Sequence, residues 1–126
     1  LYMFQSYLKM SAILLFLDSI YLFISKSYFQ KQIQLVQHSH LSIKIGYIIA
    51  CYFSLTFGLF FFIIRQNKTP LEAFFLGVFV YSVYELTNAS IFSKWNFFTV
   101  LLDSLWGGIL FFLTSFLFYF FVKTKK

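Results

Sequence analysis

Negative charge is nearly missing from this chain: four Asp and Glu stand among 126 residues, and charged residues of both signs make up only 11%. A soluble domain carries about a quarter charged residues, so this composition cannot build an ordinary water-facing surface. With a single cysteine, Cys51, no intrachain disulfide can form, and the redox compartment is not readable. A single proline, Pro70, leaves the long apolar runs free of helix breakers. There are five glycines and none of them forms a phosphate-cradling loop; no nucleophile motif or two-cysteine ligand set accompanies them.

What the chain has instead is apolar surface. Hydrophobic residues make up 60% of it and aromatic residues 25%, including 21 Phe and 9 Tyr. A small globular domain buries only about 60 to 70% of its chain surface, so these side chains need lipid as part of their solvent. Four runs are long enough to cross a layer of about 30 Å as helices: residues 7–25, 41–64, 71–92 and 97–122. Barrel strands fit poorly, because period-two alternation is absent and the runs are about twice too long. The expected fold is all-α: one domain over residues 1–126, a bundle of four transmembrane helices with a short interfacial helix between the first and second.

The connections support that reading. Lys26 to His40 sets Phe29, Ile33 and Val36 at helical spacing among Gln and Lys, the pattern of a helix lying in the interface. Arg65 to Pro70 is a compact polar turn, and Pro70 suits the first turn of a helix. Ser93 to Asn96 is so short that the last two helices must be antiparallel neighbours, with Lys94 and Trp95 as interfacial anchors. Lys9, Arg65, Lys68, Lys123, Lys125 and Lys126 fall on the side of the termini, against Lys26, Lys31, Lys44 and Lys94 on the other. That bias favours cytoplasmic termini; a glycan at the Asn67-Lys-Thr69 sequon would reverse it. The net charge of +6 sits at helix ends and in the tail, which suits anionic lipid headgroups and not nucleic acid. His38 and His40 supply two imidazoles without a third ligand, so neither a metal nor a cofactor is expected.

Three of the four acids, Asp18, Glu85 and Asp103, fall inside apolar runs. Each charged Asp near a helix centre costs roughly 2.5 to 3.5 kcal/mol on the insertion scale, so their positions demand a reason. All three lie on the order of 10 Å below the surface opposite the termini at 1.5 Å per residue, so they can meet if they face inward. Helical spacing puts Tyr21 three residues after Asp18, Trp106 three after Asp103, Asn88 three after Glu85 and Tyr81 four before it. Lys44 is the one cation on that side that could reach them. Crowded carboxylates in a low dielectric repel, so at least one is expected to hold a proton. The small pairs Ala50/Ser54, Ala73/Gly77 and Ser104/Gly108, with Gly107 beside the last, would let backbones approach closely. Leu17-Asp-Ser-Ile-Tyr21 and Leu102-Asp-Ser-Leu-Trp106 also repeat one pattern on oppositely directed helices, as an inverted repeat would.

Tyr84-Glu-Leu-Thr-Asn88, Trp95 and Asp103-Ser-Leu-Trp-Gly107, together with Leu17-Asp-Ser-Ile-Tyr21 and Lys26-Ser-Tyr-Phe-Gln-Lys31, resemble the signature of a family of small membrane proteins, domain-of-unknown-function family 2177. The resemblance spans nearly the whole chain and brings Tyr84 and Thr87 into the candidate set. The family usually has Asp where Glu85 stands and Trp where Tyr21 stands, changes that keep the chemistry and alter reach. The resemblance implies a four-helix membrane protein and transfers no activity.

The functional expectation is a membrane protein with an intramembrane carboxylate site that binds or moves a proton, a cation or a small amphiphile. The alternatives are a structural or assembly protein that orders lipid or docks protein partners or further copies of itself, and an intramembrane lipid-modifying enzyme. Abundant Phe, Ile, Lys and Tyr with scarce Gly suit an AT-rich genome, which points to a virion or organellar membrane.

Overall fold

The computed structural model describes residues 2–37, 45–91 and 96–122. Helix α1 spans Tyr2–Gln37, α2 spans Ile45–Leu59 and closes in a π-helical turn over Phe60–Ile64, α3 spans Pro70–Ile91, and α4 spans Phe97–Phe121. Among the described residues four segments are long and apolar enough to cross a membrane: Met3–Ser25, Ile45–Ile64, Pro70–Ile91 and Phe97–Phe121. The first connection is helical as expected up to Gln37, but it continues α1 without a break. Its Gln and Lys residues are good helix formers, and no Gly or Pro interrupts the run. His38, His40, Lys44, Lys94 and Trp95 lie outside the described residues.

The polar turn between α2 and α3 is fully specified by local chemistry. Asn67 takes a left-handed backbone (φ 57°). Its N–H donates to the Ile64 carbonyl at 3.1 Å, and Lys68 N–H donates to the Ile63 carbonyl at 2.9 Å. That is a Schellman stop, with Asn in the place glycine most often fills. Two residues on, the Thr69 hydroxyl accepts from the Glu72 N–H at 3.2 Å, while the Glu72 carboxylate accepts from the Thr69 N–H at 2.9 Å. With Pro70 as the first helical residue, this capping box accounts for the fourth acid. The Tyr119 hydroxyl then ties the turn to α4 by donating to the Lys68 carbonyl at 2.6 Å.

Helix α4 is the centre of the bundle and carries more buried side chains than any other helix; α3 and α1 pack against it, and α2 packs against α1. The α3–α4 contact is backbone to backbone. A Cβ built at Gly77 would stand 2.1 Å from the Gly107 carbonyl oxygen, one at Gly107 would strike the Tyr81 ring, and one at Gly108 would strike Val78 and Phe74. Small residues thus let two helices approach where lipid offers no hydrophobic drive between them. Ala73 and Ser104 are buried in the same seam. Ala50 and Ser54 are not used this way, since both are exposed on α2, whose buried residues are Thr56 and Leu59.

The outward faces carry phenylalanine ladders. Phe53, Phe57 and Phe61 stack along α2 and end under the Arg65 guanidinium, 4.3 Å from the Phe61 ring. Phe112, Phe116 and Phe120 stack along α4. Such faces suit hydrocarbon, with the cation at the boundary.

Candidate functional site

The sequence motif Asp-Ser-Ile-Tyr on α1 meets its counterpart Asp-Ser-Leu-Trp on α4 crosswise. Trp106 Nε1 donates to Asp18 Oδ1 at 2.9 Å, and the Tyr21 hydroxyl donates to Asp103 Oδ1 at 3.4 Å. Each aromatic, one turn after its own acid, serves the acid of the other helix. The two helices run in opposite directions, so a single antiparallel register satisfies both bonds. Between them Tyr21 stacks on Trp106, and Tyr21 also bonds Ser25 one turn further along α1.

Asp18 is buried, 6% exposed, and its second oxygen accepts from the Tyr52 hydroxyl of α2. This carboxylate therefore joins three helices, each oxygen taking one donor. Glu85 of α3 is 1% exposed and hydrogen-bonds to the half-buried Asp103. The acids do not converge on one point: a Glu85–Asp103 pair stands on the α3–α4 side, and Asp18, opposite Trp106 and so about one helical turn from Asp103, stands on the α1–α2 side, bridged to it by Tyr21 and Trp106. Among the described residues no three His, Cys, Asp or Glu side chains are placed to hold a metal ion.

The remaining candidates divide by helix face. Tyr81 is half-buried with its ring over Gly107, one turn from Glu85. Asn88 is half-buried and, among the described residues, bonds to neither Asp18 nor Asp103. Two expectations are corrected. Tyr84 is 59% exposed, and Thr87 turns its hydroxyl back to the Val83 carbonyl at 2.7 Å. Steps of one and two residues from Glu85 turn a helix by about 100° and 200°, which carries both side chains away from its face.

Sequence spacing missed Tyr52, because nothing in an apolar run fixes how α2 is rotated. It also missed Tyr7 and Thr56, whose hydroxyls bond at 2.6 Å and tie α1 to α2. Ser104 was noted only as a small residue; its Oγ is buried with no hydrogen-bond partner among the described residues. Gly107 lies under Tyr81 and Asp103 bonds Glu85, so the same register puts Ser104 between those two levels of α3.

An outward-facing apolar groove of about 300 Å³ lies between α3 and α4, lined by Leu71, Phe74, Ile109, Phe112 and Leu113. It sits toward the opposite end of α3 from Glu85, so the carboxylates are not the polar head of this groove.

No curated protein and no solved structure matches the chain. A family model described as "Predicted membrane protein" matches residues 3–120, covering every helix that carries the site. The four spans, the buried acids and that match together place this chain in the membrane-protein family DUF2177.

Proposed function

We propose that Glu85 and Asp103 hold a shared proton inside the membrane, and that the protein uses this site in proton-linked binding or transport. The hydrogen bond between the two acids carries the reading. Two ionised carboxylates offer only acceptors and repel, whereas a proton on one gives the other something to accept. Depth supports it, because the resident proton removes one of the charges that would otherwise cost roughly 2.5 to 3.5 kcal/mol at a helix centre. A metal cation is the poorer occupant, since three acids that do not converge offer no coordination shell, while a proton needs only the pair.

Infrared spectra of the protein in lipid at neutral pH should contain a protonated-carboxyl stretch that Glu85→Gln removes. Liposomes carrying the same variant should lose any proton flux the parent supports. A spectrum without that band in the parent would end this reading.

Asp18 favours a second, structural role beside the first. Its two oxygens are both engaged by donors from other helices, so it acts as an interhelical lock. The two roles are compatible, since different acids perform them.

A further inference from the structure

The surroundings of the acid pair differ sharply along the membrane normal. The α1–α4 register fixed by the Asp18–Trp106 and Tyr21–Asp103 bonds can be carried one turn either way. Toward the face opposite the termini it sets Ser25 against Thr99, and Ser25, Tyr21 and Asn88 are all half-buried polar groups. Toward the terminal face it sets Leu14 against Leu110, both fully buried, with Phe111 at 1% exposed beside them in the same core that includes Met10 and Leu59.

Distance runs the same way. Asp103 is six residues from the start of α4 and eighteen from its end, about 9 Å against about 27 Å at 1.5 Å per residue. Polar side chains do occur nearer the termini: the buried hydroxyls of Ser11 and Thr114, without a partner among the described residues, and the Tyr7–Thr56 pair. On the α2 side they meet the acids only through Thr56, whose hydroxyl donates to the Tyr52 backbone carbonyl at 2.9 Å, an acceptor with no proton to pass on to the Tyr52 hydroxyl at Asp18; between α1 and α4 the Leu14–Leu110 layer intervenes.

We infer that the Glu85–Asp103 site exchanges protons only with the membrane face opposite the termini, and that Leu14, Leu110 and Phe111 form an apolar plug closing it to the terminal face. The inference rests on the proton-site reading above and adds its sidedness. A proton needs a chain of hydroxyls or waters to move, and fully buried aliphatic and aromatic side chains offer none. Ser104, whose buried hydroxyl has no partner among the described residues, lies between the Tyr81 and Glu85 levels, on the shallow side of the plug. Other titratable or hydrogen-bonding groups around the acids are Asp18 and Tyr21 from α1, Tyr52 from α2, Tyr81 from α3 and Trp106 from α4, with the exposed Cys51 beside Tyr52.

Trp106 is a built-in reporter, because it bonds Asp18, stacks on Tyr21 and stands one turn from Asp103. The chain has two tryptophans, so Trp95→Phe leaves Trp106 alone. The single-tryptophan protein would be reconstituted in lipid vesicles, sorted by capture of a C-terminal tag, and given a pH step outside. The Trp106 emission should follow the step within mixing time when the face opposite the termini is outside, and lag at least tenfold when the terminal face is outside. Equal speed from both faces, or a faster response from the terminal face, overturns the sidedness and leaves the proton site standing. No response from either face removes both. In the same background Phe111→Ala should shorten the terminal-face lag, and an unchanged lag in that variant overturns the plug assignment. Should that variant not fold, the sidedness comparison in the single-tryptophan protein still decides the matter.

Discussion

Tyr21 lies flat on Trp106, ring centroids 4.4 Å apart and planes 5° from parallel, and each ring donates a hydrogen bond to the acid that precedes the other by one turn. The stack holds both donors in place at once. Trp106→Phe keeps an aromatic face but strands one oxygen of a buried carboxylate, and should cost about 1 to 3 kcal/mol of stability in detergent. Tyr21→Phe gives up the longer bond to a half-buried acid together with the Ser25 bond, and should cost less, about 1 kcal/mol. Thermal unfolding of both variants checks the order; equal losses would mean the crossed bonds carry no weight.

Asp18 makes a sharper test of the lock. Asn can accept from Trp106 with its oxygen and donate to the Tyr52 hydroxyl with its amide, so Asp18→Asn should stay within about 1 kcal/mol of the parent. Asp18→Leu leaves the Tyr52 and Trp106 donors without an acceptor and should cost several times more, about 2 to 5 kcal/mol. If the leucine variant is as stable as the parent, the lock has no structural value.

The glycine seam gives a matched control within one protein. Gly77→Ala would force a Cβ to 2.1 Å from the Gly107 carbonyl, so α3 and α4 must separate. The loss should be about 2 kcal/mol or more, in the range of overpacked cores. Gly58→Ala, with nothing within 4 Å of the new Cβ, should be neutral or stabilise by up to about 1 kcal/mol through helix propensity. Denaturation of the two in the same detergent would show whether close approach, and not glycine content, holds the bundle.

Glu72 is read as a cap, not as part of the acid site. Glu72→Ala and Thr69→Ala should each cost about 1 kcal/mol, and the double variant should lose less than the sum because the two side chains serve one reciprocal box. The protonated-carboxyl band should be unchanged in both. A lost band in Glu72→Ala would place that acid in the proton site.

The spans were legible because lipid imposes a blunt rule: about 20 apolar residues per crossing, with no competing solution for so much phenylalanine. The turn between α2 and α3 was equally local. Thr69-Pro-Leu-Glu72 spells a capping box in four consecutive residues. Among the candidate acids, Asp18, Glu85 and Asp103 were found from their cost alone. Tyr84 and Thr87 entered through family resemblance, which groups neighbours along the chain, whereas a helix distributes neighbours around its axis.

The amino-acid order by itself settled that the chain crosses a membrane four times and that three acids lie near one depth, because hydropathy and the rise per residue are local quantities. Which acid bonds which donor was decided only when the helices packed. Rotation of α2 brought Tyr52 to Asp18, the antiparallel register of α1 and α4 crossed the two aromatic bonds, and contact of α3 with α4 at Gly77 and Gly107 brought Glu85 to Asp103. Those rotations and registers are properties of helix pairs, and no single apolar run encodes the angle at which it meets its neighbour.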